Sequence, residues 1–258
     1  MDLGLKDKVA IVGGGSEGIG FGIARALAAE GAKVVIWGRR ETKLGPAADT
    51  IRKESAVDVL ALAGDVRSAD DIKRIVAATV EKFGGVDMVV NNDGAPPIGT
   101  IESFDDEAWM KAIEWTLMYV VRSVREVLPH MKARGGGSIL NVVSRATVEP
   151  RPRIALSSVP WAGVLAYAKT LSIELGAQNI NVNTLLSGLI DTPRTQKMTA
   201  AAPDPVKWKA RMIEDIPLGR FGAPDDMGAL AALLLSPRGS YITGAAIQVD
   251  GGAMKGVR

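Results

Sequence analysis

Short runs rich in valine and isoleucine alternate with longer helical stretches along almost the whole chain, and this alternation limits the possible folds most strongly. Most of the runs are apolar at every position, which is typical of strands buried on both faces of a parallel sheet. The expected strands are 9–12, 34–37, 57–61, 88–90, 139–143, 182–186 and 246–249. The expected helices are about 18–31, 41–54, 69–83, 105–133, 159–178 and 225–235. This order predicts an α/β fold with a doubly wound sheet of about seven parallel strands flanked by helices.

The chain has 258 residues, 47% of them apolar, which suits a single domain with a full core. We therefore expect one domain over residues 1–258. Its least regular segment, at about 188–222, contains four prolines. A long irregular segment near the strand ends of such a sheet often covers a binding site, so we interpret it as a substrate lid. A surface decoration is the alternative.

The composition excludes several classes of function. Cysteine is absent, which excludes disulfides and thiolate chemistry, and a single histidine, His130, excludes a metal site built from several histidines. The net charge of +2 comes without a long basic cluster, which speaks against a nucleic-acid partner. No run of about 18 uncharged apolar residues occurs, and no apolar leader follows Met1, so we expect no membrane span and a cytoplasmic location.

A glycine-rich turn follows the first expected strand and opens a helix. Its glycines allow the backbone to approach a pyrophosphate closely, and the helix N-terminus offers free N–H groups to the anion. The position between a buried strand and a helix is the context that such a motif requires. The turn predicts a Rossmann-type dinucleotide site, with a purely structural turn as the alternative. The predicted contacts are Gly14, Ser16, Glu17, Gly18, Ile19 and Gly20.

The end of the second strand bears on the choice of cofactor. An acidic residue there would bind the ribose 2′-hydroxyl of NAD(H), but the chain has Gly38 followed by Arg39 and Arg40. These arginines suit a 2′-phosphate, so we favour NADP(H) over NAD(H). Glu17 and Asp93 would argue the other way if either lay near that phosphate.

Several motifs resemble those of the short-chain dehydrogenase/reductase (SDR) family, in the family's order and over nearly the whole chain. They are Gly14-xxx-Gly18-x-Gly20, Gly64-Asp65-Val66, Asn91-Asn92-Asp93-Gly94, the strand ending at Ser144, the segment from 181 through Thr192-Pro193, and the last strand with its flanks. The resemblance implies that Asp65 meets the adenine and that Ser144 is the active-site serine. It also implies cofactor contacts from Val66, Asn92, Gly94, Gly188, Ile190 and Thr192. Small departures are Gly13 for Thr, Asp93 for Ala and Ser187 for Pro.

The large departure lies at the family's catalytic Tyr-x-x-x-Lys pair, since none of the three tyrosines has a lysine four residues later. Counting back along the helix after the pair places Ser157 at the tyrosine position and Trp161 at the lysine position. The separation between Ser144 and Ser157 agrees with the family. Counting back from Met131 places Thr116 at the position of the family's catalytic asparagine. Of the four catalytic positions, only Ser144 keeps the family's residue.

This loss has a physical consequence. A serine hydroxyl is a much weaker acid than a phenol, and an indole carries no charge. Loss of general acid catalysis costs about 10²–10⁴ in rate. Because Pro160 suits a first helical turn, Ser157 or Ser158 is expected to cap the helix. Two interpretations of Ser157 stay open, a helix cap and a catalytic residue. Two also stay open for Trp161, an apolar wall over the nicotinamide and a residue of the core.

Other side chains are candidates for substrate contacts. Arg145, together with Arg151 and Arg153, could bind an anionic substrate, with a solvated basic loop as the alternative. Tyr119 lies one helical turn after Thr116 and is a candidate proton donor from that face.

Three functions remain open at this point. The first is an NADP(H)-dependent SDR oxidoreductase that acts on a small carbonyl, alcohol or activated enone through a non-standard active site. The second is a non-redox enzyme, such as a lyase, isomerase or cyclase, and the third is a non-catalytic cofactor-binding partner. The resemblance also implies a homo-oligomer, a tetramer or dimer, assembled through the helices at about 105–133 and 159–178.

Overall fold

Seven parallel strands form one sheet in the computed structural model, which describes residues 1–256. They pair in the order β3-β2-β1-β4-β5-β6-β7 and confirm the predicted Rossmann-type sheet. The strands are β1 (Val9–Gly13), β2 (Lys33–Gly38), β3 (Val59–Ala63), β4 (Met88–Asn91), β5 (Gly137–Ser144), β6 (Ile180–Ser187) and β7 (Ala246–Val249). The strand order reverses between β1 and β4, and in such sheets ligands bind at the carboxyl ends of the strands beside this switch point.

Nine α-helices are present among the described residues, and most lie close to their expected positions. They are α1 (Gly18–Ala29), α2 (Glu41–Ser55), α3 (Ala69–Phe83), α4 (Asp106–Ile113), α5 (Tyr119–Ala133), α6 (Ala155–Leu175), α7 (Pro193–Ala200), α8 (Pro205–Glu214) and α9 (Pro224–Leu235). The single helix expected at 105–133 is instead α4 and α5 joined by a π-helical turn, Glu114–Met118. The extra residue in that turn rotates the helix face that follows it.

Helix α6 begins before the expected position, so the prediction that Ser157 or Ser158 caps it was wrong. The residue that precedes the helix is Ile154, whose carbonyl oxygen accepts the N–H groups of Ser157 and Ser158 at 3.0 and 2.9 Å. Pro160 lies in the second turn instead of the first. Its ring removes one N–H from the helix, and the turn that precedes it still forms.

Two apolar layers hold the sheet. One face packs against α1, α2 and α9 through residues such as Ile23, Leu44 and Met227. The other face packs against α3, α5 and α6 through residues such as Val124 and Val164. Both layers leave the carboxyl ends of the strands free to form a site. Within residues 1–256, no helix combines the length and apolar character that a bilayer span requires.

The segment at 188–222 leaves the sheet after β6 and returns to its starting point. Ile190 and Gly222 form a parallel bridge, and the Asp191 N–H donates to the Gly222 carbonyl oxygen at 2.7 Å. Helices α7 and α8 lie between these two ends. The segment is therefore a long loop with two helices whose ends pair with each other, at the edge of the sheet where the predicted site lies.

Asp87 directly precedes β4, at the edge of the sheet where the strands begin, and it links two elements there. This buried carboxylate accepts the backbone N–H of Val9 at 2.8 Å and Nε of Arg134 at 3.0 Å, and Lys8 Nζ lies 3.6 Å away. It thus holds the start of β1 against the end of α5. A buried N–H that loses its acceptor costs about 1–3 kcal/mol.

We predict that Asp87→Ala lowers the free energy of unfolding by about 1–3 kcal/mol, because the Val9 N–H is left without a partner. The matched control is Asp49→Ala, which removes an exposed pair with Arg52 and changes stability by about 0.5 kcal/mol or less. Denaturant unfolding followed by circular dichroism measures both. Equal stability of the two variants would contradict this role of Asp87.

Candidate active site

The turn between β1 and α1 is built from glycines that have no room for side chains. Gly14 and Gly18 have φ angles of 59° and 60°, in the left-handed region that favours glycine. A Cβ atom on Gly14 would lie 2.7 Å from Asn92 Nδ2, and one on Gly20 would collide with the Gly14 carbonyl oxygen. Asn92 Nδ2 also donates to the Gly13 carbonyl oxygen at 3.0 Å. The turn is thus held against the end of β4, as a cradle for a pyrophosphate requires.

A cleft of about 220 Å³ opens above this turn. It brings together most of the residues predicted to hold the cofactor, along with parts of the segment at 188–222. Its lining consists of Gly14, Ser16, Glu17, Gly18, Ile19, Gly38, Arg39, Arg40, Asn92, Asp93, Gly94, Thr192, Pro193 and Arg194. Five of the predicted residues do not line it: Gly20, Asp65, Val66, Gly188 and Ile190. Gly188 and Ile190 line the neighbouring pocket that holds Ser144.

Glu17 is the centre of a small charge cluster at the rim of the cleft. Its carboxylate pairs with Arg40 and with Lys43, whose Nζ lies 2.6 Å from Glu17 Oε2. Burial alone would raise the pKa of Glu17, but hydrogen bonds from Lys43 and Arg40 outweigh it and hold the pKa below its usual value. One of the two arginines expected to bind a 2′-phosphate therefore already has an internal counter-ion.

Asp65 and Arg39 belong to a second charged group around the indole of Trp115. Arg67 holds Asp65 with Nε–Oδ1 at 3.0 Å, and its hydrogen bonds are the main reason that the pKa of Asp65 is lowered. The guanidinium carbons of Arg39 and Arg67 lie 5.3 and 5.8 Å from the Trp115 ring centre. The Trp115 indole N–H donates to Asp93. Sequence reasoning did not identify Trp115.

Ser144 and Trp161 line a common pocket of about 200 Å³. Ser144 ends β5, and its hydroxyl oxygen accepts the Ala146 N–H at 3.2 Å. Trp161 projects from the second turn of α6. The pocket shares Asn92, Asp93, Gly94, Ile19, Thr192 and Arg194 with the glycine-lined cleft. Pocket and cleft therefore adjoin and form one continuous groove.

The other two predicted catalytic residues do not line this pocket. Ser157 is only 4% exposed, inside the first turn of α6. Thr116 lies in the π-helical turn, where its hydroxyl donates to the Ala112 carbonyl oxygen at 2.7 Å. Thr116 lines a separate inner cavity of about 20 Å³, and Trp161 and Asp93 form walls shared by this cavity and the pocket.

Tyr119 faces the glycine turn. Its hydroxyl would meet a Cβ atom on Gly13, and its ring packs edge-on against Trp37 at 5.8 Å. Burial, followed by the nearby charge of Asp93, raises its pKa far above the ordinary value for tyrosine. A phenol in this environment holds its proton firmly, and it does not line the Ser144 pocket.

The predicted substrate arginines also lie away from the pocket. Arg145 is 4% exposed, with NH1 3.4 Å from Glu149 Oε2. Arg153 is exposed in a left-handed conformation, and its carbonyl oxygen accepts the Gly99 N–H at 2.9 Å. Arg194 is the arginine that does line the pocket, and it donates to the Ala95 carbonyl oxygen at 3.1 Å. Desolvation lowers its pKa. No sequence motif distinguished it.

Comparison with known proteins agrees with this architecture. A family profile described as "Enoyl-(Acyl carrier protein) reductase" matches residues 14–254. The human "Dehydrogenase/reductase SDR family member 4" is 36% identical over 249 residues, covering 96% of this chain and 88% of that protein. The "3-oxoacyl-[acyl-carrier-protein] reductase FabG" of Chlamydia muridarum is 34% identical, covering 96% of this chain and 98% of that protein.

Solved structures show the same relationship. The L-sorbose reductase of Gluconobacter frateurii, complexed with NADPH and L-sorbose, superposes with a TM-score of 0.95 at 35% identity over 100% of both chains. YwfH, an NADPH-dependent reductase involved in bacilysin biosynthesis, superposes with a TM-score of 0.93 at 29% identity over 97% of this chain and 99% of that one. The fold and the groove define a Rossmann-type α/β protein. The chain belongs to the short-chain dehydrogenase/reductase family of oxidoreductases.

Gly13 and Tyr119 form a matched pair, and a double-mutant cycle tests this. We predict that Gly13→Ala destabilises the protein by about 1–3 kcal/mol, because its Cβ atom collides with the Tyr119 hydroxyl and lies 2.6 Å from the Asn92 carbonyl oxygen. Tyr119→Phe removes the hydroxyl, so Gly13→Ala is less damaging in that background, by about 0.5 kcal/mol or more. Denaturant unfolding of the four proteins gives the coupling. Strictly additive effects would contradict the pairing.

Proposed function

We propose that this protein is an NADP(H)-dependent SDR oxidoreductase that acts on a small carbonyl, alcohol or activated enone through a non-standard active site. The observation that carries the proposal is the continuous groove, which joins a glycine cradle to a pocket lined by Ser144 and Trp161. The register of the sequence motifs supports the replacement of the family's Tyr and Lys by Ser157 and Trp161, and of its Asn by Thr116.

The residues of the cleft fit a dinucleotide, because Cβ atoms would fill the cradle that its backbone leaves open. The backbone from Gly14 to Ile19 and the N-terminus of α1 would hold the pyrophosphate. Arg39, Arg40 and Lys43 would hold the 2′-phosphate, and Thr192 closes over the cradle, since a Cβ atom on Gly18 would lie 3.2 Å from its Cγ2. When bound, the nicotinamide ring supplies or accepts a hydride. Two related reductases, from the structural comparison, are described with NADPH.

The pocket residues would then act on the substrate. The Ser144 hydroxyl orients a carbonyl or hydroxyl oxygen by a hydrogen bond. Trp161 supplies a flat apolar wall that keeps water out. The segment at 188–222 contributes Arg194, Thr195 and Met198 to the same pocket, in keeping with a lid. Arg194, a fixed cation, would bind a polar or anionic substituent of the substrate.

A second candidate is a non-redox enzyme or a non-catalytic cofactor-binding partner. It is favoured by one observation: among residues 1–256, no tyrosine lines the pocket that holds Ser144. A homo-oligomer, dimer or tetramer, is part of the main proposal, through the helices at 105–133 and 159–178. A cytoplasmic location remains a prediction.

The preference for NADP(H) over NAD(H) is tested by removing the negative charge of Glu17, which pairs with Arg40 and Lys43. We predict that Glu17→Gln raises the affinity for NADPH about two- to fivefold while that for NADH changes little, because Arg40 and Lys43 lose their internal counter-ion. The matched control is Glu41→Gln, an equal charge change on an exposed residue that does not line the cleft. Calorimetric titration gives the NADPH and NADH affinities of the wild type and of each variant. An unchanged ratio of NADPH to NADH affinity would contradict the placement of the phosphate.

The proposed register is tested by restoring the family's pair. We predict that Ser157→Tyr with Trp161→Lys raises the rate of carbonyl reduction by NADPH by about 10²-fold or more over wild type, because an acid with a neighbouring ammonium returns. The control, Ser158→Tyr with Trp161→Lys, carries the same residue types one position out of register and gains nothing. Equal rates in wild type and both folded, NADPH-binding variants would show that the register is wrong.

A further inference from the structure

Asp93 occupies a position where three hollows of the molecule meet. It lines the pocket of Ser144 and Trp161, the glycine-lined cleft, and the inner cavity that contains Thr116. It follows β4 directly, at the switch point of the sheet. Gly94 and Asn92, on either side of it, account for part of the same lining. Asp93 therefore borders both the cleft and the pocket at the place where they join.

The surroundings hold this carboxyl in place. The Trp115 indole N–H donates to Asp93 Oδ2, which fixes the orientation of the side chain. The guanidinium carbons of Arg39 and Arg67 lie 5.3 and 5.8 Å from the centre of the Trp115 ring, in the range of cation–π contacts. The indole is therefore a positioning residue for Asp93, and no lysine takes part in the arrangement.

The pocket offers few other ionisable groups. Among the described residues that line it, only Asp93 and Arg194 carry ionisable side chains. Arginine stays protonated at any working pH, and a serine hydroxyl is too weak an acid to give up its proton without a base. Tyr119 and Ser157 do not line this pocket. A proton that enters or leaves a substrate beside Ser144 thus has one side chain suited to carry it.

We propose that Asp93 is the proton-transferring catalytic residue of this pocket, a role that rests on the proposed redox function. In reduction, a bound nicotinamide cofactor would supply a hydride, one proton with two electrons, to the carbonyl carbon. The carbonyl π electrons move to oxygen, which takes the proton of the Asp93 carboxyl as that O–H bond breaks. The resulting carboxylate regains a proton from water. In alcohol oxidation the Asp93 carboxylate accepts the hydroxyl proton, the electrons of that O–H bond form the carbonyl π bond, and the hydrogen on carbon would leave as hydride to the oxidised cofactor.

The electrostatics suit a titrating group. Burial is the largest influence on Asp93 and raises its pKa above the ordinary value for aspartate, even though the Gly94 N–H, the Trp115 indole and Arg39 lower it. The charged and titratable groups that face it come from several elements. They are Arg39 after β2, Asp65 and Arg67 after β3, the un-ionised Tyr119 on α5, and Arg194 on α7.

The sign of the pH dependence follows from these roles. Reduction needs the protonated carboxyl, so its rate falls as the pH rises through the pKa of Asp93. Oxidation needs the carboxylate, so its rate falls as the pH drops through the same value. An amide does not titrate, and both dependences disappear in Asp93→Asn.

The test compares wild type, Asp93→Asn and Asp93→Ala, with Asp215→Asn as an exposed control outside the pocket. Alanine is the residue usual at this position in the family, so Asp93→Ala serves if Asp93→Asn does not fold. NADPH affinity is measured by calorimetry, and NADPH oxidation with a panel of ketones, quinones and enoyl thioesters is followed across pH. We expect both Asp93 variants to lose about 10²–10⁴-fold in turnover while keeping NADPH affinity within a few-fold.

A second readout needs no cofactor. Protonation of Asp93 changes the environment of the Trp115 indole, so the tryptophan fluorescence of the free protein shows a pH step above the usual aspartate range. The step disappears in Asp93→Asn and in Trp115→Phe and persists in Asp215→Asn.

The outcomes separate the two proposals. Absence of NADPH binding or of turnover in wild type overturns the proposed function, and the role of Asp93 with it. An Asp93→Asn protein that binds NADPH and keeps the wild-type turnover and pH profile overturns the role of Asp93 alone. Loss of NADPH affinity in that variant without a further loss of turnover at saturation also overturns it, because Asp93 would then only bind the cofactor.

Discussion

The close approach of the β1–α1 turn to the end of β4 is the constraint on which the rest of the site depends. Asn92 Nδ2 bonds the Gly13 carbonyl oxygen at 3.0 Å, and neither Gly13 nor Gly14 has space for a Cβ atom there. This contact brings the N-terminus of α1 and the residues after β4 to one edge of the sheet. The cleft, the Ser144 pocket and Asp93 all take their positions from it. The Tyr119 hydroxyl occupies the space where a Cβ atom on Gly13 would lie.

In the proposed register, the site differs from its family in where its charge lies. An indole, Trp161, lines the pocket, and in the proposed register the family places an ammonium at that position. Cations instead gather at the other end of the groove, where Arg39, Arg40 and Lys43 lie near Glu17 and Trp115. Asp93 lies between these two regions. The groove thus keeps the features that fit a dinucleotide, and in the proposed register proton transfer would follow a different route from the family's.

The doubly wound parallel sheet and most helices could be predicted, because continuous apolar runs and glycine turns are local features of the sequence. The errors arose where a side chain's direction depended on backbone detail. Helical spacing placed Tyr119 on the face of Thr116, and both residues line the inner cavity, but the Tyr119 hydroxyl faces Gly13 and Tyr119 does not line the Ser144 pocket. Pro160 suggested that α6 begins next to it, but the helix begins about one turn earlier, at Ala155. Arg194 and Trp115 had no motif, since only the folded chain brings α7 and the π-helical turn to the groove. Asp93 was visible as a departure from the family, but its surroundings were not.

A crystal structure of the protein with NADPH tests the central claim most directly. We expect the nicotinamide ring in the pocket between Ser144 and Trp161, the pyrophosphate on the Gly14–Ile19 backbone, and the Asp93 carboxyl within hydrogen-bonding reach of the space beside the ring. An empty groove at saturating NADPH would contradict the account. So would a lysine amine found within bonding distance of both a tyrosine oxygen and Ser144, because the usual catalytic pair would then be present after all.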